Sequence, residues 1–120
     1  MRRDLELIRK MLLECEHSPS GWAPDFKFDG YSDAQVGYHA YLMMDAGLVN
    51  GSDVTTNGSQ GPEAMITSLT WQGHEFAEAA RDDGRWKKAM GLVAEKGGSI
   101  TLDVMKALLV SLMKSSLGLP

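Results

Sequence analysis

The sequence predicts an α+β fold that is mostly helical with one small β-hairpin, and two observations support this prediction. A helical segment over residues 32–46 leads into Gly47-Leu48-Val49, which is typical of a helix that ends and continues as a strand. A glycine-rich loop then separates two strand-like segments, and Leu69-Thr70-Trp71 leads from the second one into another helix. This order of elements is typical of a winged helix-turn-helix-like domain. We therefore expect a winged-helix core over residues 1–81 and a C-terminal helical extension over residues 82–120, together forming a single domain.

The first helix is predicted over residues 4–16, because Asp4 is a favourable N-cap and apolar residues recur at helical spacing after it. Ser18-Pro19-Ser20-Gly21 ends this helix, and Phe26-Lys27-Phe28 is predicted to form a short strand. The predicted buried face of the helix contains Leu5, Ile8, Met11, Leu12 and Cys15.

The second helix is predicted to begin with a capping box, since Ser32 is followed three residues later by Gln35. Gly47 is expected to end it in the left-handed conformation. His39 lies in the middle of the helix, and we interpret it as a hydrogen-bonded histidine of the core or its rim. The predicted inward face contains Val36, His39 or Ala40, Met43 and Ala46.

The wing is predicted over residues 50–62 and the returning strand over residues 64–70. The third helix is expected to begin near His74 and to continue, with a kink at Asp83-Gly84, to about residue 94. Trp71 lies where the strand meets this helix. We predict that it is a buried anchor whose replacement by alanine costs about 3–5 kcal/mol.

Gly97-Gly98 separates that helix from a last one, predicted over residues 102–117. The apolar surface of this last helix is wider than one contact face requires, so it is either a core strut or half of a dimer interface. We adopt the second interpretation and predict a homodimer through residues 99–117. The predicted interface contains Met105, Leu108, Leu109, Leu112 and Met113.

The net charge of −4 is distributed unevenly along the chain. Residues 28–80 contain seven acidic side chains and no lysine or arginine, whereas residues 81–120 contain seven basic and four acidic side chains. This distribution indicates either a polar interface or an acidic surface that repels phosphate.

DNA binding is one function that the predicted fold suggests, since helix-turn-helix domains usually place a helix in the major groove. In the second helix, Asp33 and Asp45 would oppose approach to the phosphates, although Gln35 could read adenine. Phosphate contacts would have to come from two clusters that are otherwise solvated helix faces. One cluster contains Arg2, Arg3, Arg9 and Lys10, and the other contains Arg81, Arg85, Lys87 and Lys88.

Protein binding is the function that we favour, in a regulatory or adaptor module with an unidentified protein partner. Tyr38 and Tyr41 share a helix face, and tyrosine is one of the residues that dominate protein interfaces. The alternative for each tyrosine, packing in the core with its hydroxyl at the rim, stays open. The predicted partner-binding residues are Asp33, Gln35, Tyr38, Tyr41 and Asp45. A DNA-binding transcriptional regulator is the alternative function.

Motifs for enzymes and metal sites are incomplete, so we predict a non-enzymatic protein without catalytic residues, metal or cofactor. His74-Glu75-Phe76-Ala77-Glu78 is similar to the helix of zinc proteases, but Glu78 replaces the second histidine. Ser111 and Lys114 have Ser-x-x-Lys spacing without the companion motifs.

The single cysteine, Cys15, favours a reduced, cytoplasmic setting. The first turn is charged, unlike a secretory signal. No apolar run reaches the roughly 20 residues that cross a bilayer, so no membrane association is predicted.

Four blocks of sequence follow one another along nearly the whole chain. They are RRDLELIRKMLL, GYSDAQVGYHAYLMMDAGLV, LTWQGHEFAEAARDDGRWKK and GGSITLDVMKALL. This pattern resembles an uncharacterised family of short bacterial and prophage proteins, catalogued as domain of unknown function 2513. The resemblance implies a winged-helix architecture and a frequent association with mobile elements, and it implies no catalytic or binding residues.

Overall fold

The computed structural model describes all residues from 1 to 120, and it confirms the α+β class. Five helices accompany one antiparallel pair of strands. In chain order the elements are α1 (Leu5–His17), α2 (Asp33–Asp45), β1 (Val49–Asp53), β2 (Ala64–Leu69), α3 (Trp71–Ala80), α4 (Asp83–Glu95) and α5 (Leu102–Ser116). The chain divides into two compact units, Met1–Glu75 and Phe76–Pro120.

Helix α1 begins where the sequence predicts, because the Asp4 carboxylate accepts hydrogen bonds from two backbone N–H groups of the first turn. Asp4 Oδ1 lies 2.9 Å from the nitrogen of Glu6 and 3.2 Å from that of Leu7. These bonds satisfy donors that have no partner within the helix. The buried face contains Leu7, Ile8, Met11, Leu12 and Cys15, whereas Leu5 is only half-buried.

Helix α2 has the predicted capping box, in which the Ser32 hydroxyl accepts from the Gln35 N–H and the Gln35 side chain accepts from the Ser32 N–H. Its C-cap is Ala46, and Gly47 follows with a φ of +77°, a conformation that a side chain would strain. The Leu48 N–H then bonds back to the Met43 carbonyl at 2.9 Å. Both predicted ends of the helix are therefore confirmed.

The turn after α2 is joined to the start of α3 at a tight corner. Thr70 Oγ1 donates to the Gly47 carbonyl at 2.6 Å and accepts from the Gly73 N–H at 3.0 Å, and the Thr70 N–H donates to the Leu48 carbonyl at 3.0 Å. A Cβ atom on Gly73 would lie 2.0 Å from the Leu48 oxygen, so only glycine fits there. We call Gly47, Leu48, Thr70 and Gly73 the helix corner.

The hairpin pairs Val49 with Leu69 at one end and Asp53 with Ala64 at the other. Its register shifts between Asn50 and Gly51, which is the mark of a β-bulge. A Cβ atom on Gly51 would lie 2.4 Å from the Met65 carbonyl oxygen, so the irregular register requires glycine at this position.

The predicted strand at Phe26-Lys27-Phe28 is wrong, because these residues have no strand partner. Ala23 instead approaches the hairpin and donates its N–H to the Thr67 carbonyl at 2.8 Å. The rings of Phe26 and Phe28 stack on each other with centroids 6.1 Å apart. Sequence propensity identified an extended segment here but could not identify which residue meets the sheet.

Helix α3 begins at Trp71 rather than near His74, since Thr70 acts as its N-cap. The predicted kinked continuation into α4 is also wrong. Helix α3 ends at Ala80, and a new helix begins after Asp82, whose carboxylate accepts from the Arg85 N–H at 2.9 Å. Because Asp82 caps a helix only two residues after the end of α3, the chain starts a separate helix here instead of continuing α3 through a kink.

Trp71 is not a buried anchor, because its side chain is 75% exposed. Trp86 is the buried tryptophan, with 3% exposure. In the second unit, α4 packs against α5, and Gly97 and Gly98 connect them with φ angles of +111° and +78°.

Candidate functional site

His39 fixes the inner side of α2 through both nitrogens of its ring. Nε2 accepts from the Asp4 N–H at 2.8 Å, and Nδ1 lies 2.8 Å from the Gln35 carbonyl oxygen. Because Nε2 acts as an acceptor, the ring proton belongs on Nδ1, which donates to that carbonyl. The side chain is 1% exposed, so this buried polar group is fully satisfied. The interpretation of His39 as a hydrogen-bonded core histidine is confirmed.

Tyr31 extends this network to the segment before α2. Its hydroxyl donates to Asp4 Oδ2 at 3.0 Å, while the other oxygen of the carboxylate caps α1. Partial burial, together with the hydrogen bond and the negative charge of Asp4, raises the pKa of the Tyr31 hydroxyl. Asp4 therefore joins α1, the turn before α2 and His39 into one hydrogen-bonded unit.

The opposite side of α2 carries a continuous stripe of four residues that we call the tyrosine face: Ala34, Tyr38, Tyr41 and Asp45. Their spacing of four, three and four residues places them above one another on a helix. The two tyrosines are half-buried and Asp45 is exposed. The Tyr38 ring makes an edge contact with the His39 ring, with centroids 5.9 Å apart.

The hydroxyl groups of Tyr38 and Tyr41 reach solvent. No buried side-chain nitrogen or oxygen lacks a hydrogen-bond partner, and neither hydroxyl has one within the chain. Each tyrosine is thus half-buried with a hydroxyl that solvent or a partner can reach, and tyrosine is frequent at protein interfaces.

Two predicted partner-binding residues lie away from this stripe. Asp33 is roughly 140° around the helix from Tyr38 at 100° per residue, and its carboxylate pairs with Lys27 at 3.2 Å. The side-chain oxygen of Gln35 accepts from the Ser32 N–H at 2.8 Å, so this oxygen is engaged in the capping box. The structure therefore brings together Tyr38, Tyr41 and Asp45, and gives Asp33 and Gln35 local structural contacts.

Acidic side chains lie at the end of α2, alongside it and on the hairpin. No basic side chain occurs in the last turn of α2, so Asp45 adds its charge to the negative end of the helix dipole. Glu63 runs alongside α2, and its Cγ would lie 3.3 Å from a Cβ on Gly37. At the end of β1, hydrogen bonds from Thr55 lower the pKa of the Asp53 carboxyl and favour its charged form.

The second predicted phosphate-binding cluster is partly occupied by internal contacts. Arg85 Nε donates to the Ala79 carbonyl at 2.9 Å, and its guanidinium also reaches the Glu78 carbonyl at 3.4 Å. Arg81 forms an ion pair with the Glu78 carboxylate. Lys87 and Lys88 remain exposed on α4. In this cluster, arginine mainly serves to satisfy the C-terminal carbonyls of α3.

The first predicted phosphate-binding cluster lies at and before α1. Arg2, Arg3 and Lys10 are exposed, and Arg9 is half-buried. This cluster belongs to the first unit, whereas the cluster on α4 belongs to the second.

The predicted dimer interface is corrected in part. Met105 and Leu109 are fully buried within the single chain, at 0% exposure, so they belong to its own core. One turn of helix separates them, which is the spacing of a buried stripe. Leu108, Leu112 and Met113 are half-buried, and the prediction of a homodimer rests on these three.

The remaining candidates for chemistry do not form a cluster. No three histidine, cysteine or acidic side chains are placed to hold a metal ion. His74 is exposed on α3. Cys15 is buried, and burial together with the charge of Glu14 raises the pKa of its thiol to about 11. No helix in the structure has the length and hydrophobicity needed to cross a membrane.

Trp71 is the surface residue that sequence reasoning missed. A usable signal was present, because Thr70 is a favourable N-cap residue and would start the helix at residue 71. A tryptophan in the first turn of a helix, rather than at the end of a strand, does not have to point into the core.

The fold and this surface define a small α+β protein with an aromatic helix face that ends in an acidic residue. The chain belongs to the family described as "Hypothetical protein (DUF2513)", whose sequence model matches residues 2–99. It is also 32% identical over 109 residues to an uncharacterized protein of Haemophilus influenzae, which covers 88% of this chain and 90% of that relative. No solved structure matches it.

Proposed function

We propose that this chain is a non-enzymatic winged-helix binding module of bacterial or phage origin. In this proposal it has a regulatory or adaptor role and contacts a protein partner through the tyrosine face. The order α1, α2, β1, β2 supports a winged helix, with the hairpin loop as the wing. The bond from Ala23 to the Thr67 carbonyl supports it further, since it places the segment after α1 beside β2, where a third strand would lie.

The tyrosine face is the observation on which the proposal rests. Two half-buried tyrosines lie on one face of α2, and the capping box and the His39 bonds fix the helix that carries them. Aromatic side chains held in one orientation lose little conformational entropy on binding and are frequent hot spots. The absence of basic residues from positions 28–80 favours a protein over a phosphate backbone as the ligand.

A photo-crosslinking experiment tests the proposed face. A benzophenone amino acid is incorporated in place of Tyr38 or Tyr41, and the protein is expressed in the bacterium from which it comes. The control carries the benzophenone amino acid in place of Ala94, which is exposed on α4. We expect a discrete protein adduct from positions 38 and 41 and none from position 94. Equal adducts from all three positions, or none from the tyrosine face, would contradict the proposal.

DNA titration tests the alternative function, a regulator that contacts phosphates through residues 81–88 and the N-terminal helix. Fluorescence anisotropy of a random-sequence duplex is measured at low and moderate salt, with Lys87→Gln/Lys88→Gln as the variant. We expect no binding at either salt concentration. Binding that weakens steeply with salt and is lost in the variant would replace protein recognition with DNA recognition.

A further inference from the structure

Trp71 is held at the surface by the helix corner. Gly73 is locked against the Leu48 carbonyl, so the side of α3 that carries residue 73 must face inward. Gly73, Phe76, Ala77 and Ala80 are accordingly buried. At 100° per residue, residues 71, 75 and 78 then point outward, and all three are exposed. The exposure of the indole is therefore a consequence of the fold.

The helix corner also joins the segment that carries Trp71 to the segment that ends the tyrosine face. Asp45 lies two residues before Gly47, and Trp71 lies one residue after Thr70. The hydrogen bond of 2.6 Å between Thr70 and Gly47 joins these two short segments. Asp45 and Trp71 are both exposed, and each lies within two residues of this junction.

The negative charge near this junction favours a positively charged ligand. Asp45 and the C-terminal end of α2 are both negative, and no lysine or arginine of residues 28–80 is present to neutralise them. Helix α4 also ends in an acidic residue, Glu95, but the basic residue Lys96 follows it directly. Asp45 is followed by Ala46, which carries no compensating charge. Tryptophan is the aromatic side chain that attracts a cation most strongly, and arginine most often fills this role.

We propose that Trp71 and Asp45 form a docking site for an arginine side chain of the protein partner. The guanidinium stacks on the indole and pairs with the carboxylate, while the neighbouring residues of the partner lie along the tyrosine face. The inference rests on the proposed function and adds to it the chemical class of the partner, a basic, arginine-bearing segment.

The test uses an acetylated, amidated peptide of alternating glycine and arginine, with a citrulline peptide of the same length as the uncharged control. Two-dimensional ¹H–¹⁵N NMR follows the Trp71 indole and the backbone amides of residues 45–48 and 70–75 during titration. We expect saturable shifts with the arginine peptide and none with the citrulline peptide. Similar shifts with both peptides, or shifts that occur elsewhere, would overturn the proposal.

Matched variants assign the contact to the two side chains. We expect Trp71→Leu to weaken arginine-peptide binding about threefold to tenfold and Trp71→Phe to weaken it less. Asp45→Asn should weaken it about twofold to fivefold. The controls are Trp22→Leu, at an indole that is 66% exposed on an irregular segment, and Asp29→Asn, and both should leave binding unchanged. Equal losses in the variants and the controls would show non-specific charge attraction and overturn the site.

Other occupants give different results. Shifts of residues 45–48 and 70–75 on simple concentration would identify a second copy of this chain, and shifts with a short duplex would identify nucleic acid. Either result would overturn the arginine site. A failed peptide titration beside a positive crosslink at Tyr38 would refute this inference alone, whereas the absence of crosslinks would refute the proposed function.

Discussion

The side-chain hydrogen bonds described in the two units of the chain differ in range. In the unit Met1–Glu75, side-chain hydrogen bonds join Asp4 to His39, Asp4 to Tyr31 and Thr70 to Gly47, over separations of 35, 27 and 23 residues. In the unit Phe76–Pro120, the bonds from Arg85 to the carbonyls of α3 span six and seven residues. Long-range polar contacts specify the relative position of elements, whereas local ones mainly end and start helices. The first unit is therefore the one suited to presenting a fixed surface.

The two tryptophans give the largest expected contrast. Trp86→Ala removes a buried side chain of the second unit and should lower the free energy of unfolding by about 3–5 kcal/mol. Trp71→Ala removes an exposed one and should lower it by less than about 0.5 kcal/mol. Urea denaturation monitored by far-ultraviolet circular dichroism measures both. A large loss of unfolding free energy for Trp71→Ala would instead support the buried position that the sequence predicts.

Two glycines in helices test how rigid the helix corner is. Gly73→Ala places a Cβ 2.0 Å from the Leu48 oxygen and should destabilise the protein by about 3 kcal/mol or more. Gly91→Ala in α4 meets no atom within 4 Å and should stabilise it by about 0.5–1 kcal/mol. Thermal unfolding of the two variants should shift in opposite directions. Similar shifts would mean that the helix corner adapts to a side chain.

The buried histidine tests the long-range network. His39→Leu leaves the Asp4 N–H without its acceptor and should lower the free energy of unfolding by about 2–3 kcal/mol. His39→Gln can offer an oxygen to that N–H and should recover part of the loss. His74→Ala, at an exposed histidine, is the control and should be nearly neutral. Chemical denaturation of the three variants checks the order, and an equal loss for leucine and glutamine would argue against the hydrogen bond.

A final expected effect is a pH dependence that Cys15 confers on the first unit. Burial raises the pKa of this thiol from its ordinary value of 9.0 to about 11. Between pH 9 and 11 the unfolded chain loses a proton that the folded chain keeps, so the free energy of unfolding falls as the pH rises. Below pH 9 both states hold the proton and the thiol contributes no slope. Cys15→Ala should show a shallower decline over the same range in denaturation measured at several pH values, and an identical slope would contradict the burial of the thiol.

Local features of the fold could be predicted from the sequence because neighbouring residues determine them. The Asp4 cap, the capping box of Ser32 and Gln35, and the left-handed Gly47 each depend on a span of a few residues. The acidic character of α2 and the shared face of Tyr38 and Tyr41 were equally readable from spacing alone.

Features that depend on distant contacts could not be predicted in this way. The exposure of Trp71 follows from the clash that Gly73 avoids with Leu48, a residue 25 positions earlier in the chain. The strand predicted at Phe26 does not form, because the hydrogen bond from this segment to β2 is made by Ala23. Gln35 was suited to reading a base by its side-chain type, but the capping box uses that side chain instead.

The hydroxyl group of Thr70 has a consequence for the natural variation of this family. Its oxygen donates to the Gly47 carbonyl and accepts from the Gly73 N–H. A side chain at position 47 would strain the left-handed backbone, and a Cβ at position 73 would clash with the Leu48 oxygen, so each of the three positions is constrained by the same corner. Relatives that keep this corner should retain serine or threonine at position 70 together with glycine at positions 47 and 73. Homologues should therefore gain or lose the three residues as a set, and an alignment would reveal them by co-variation.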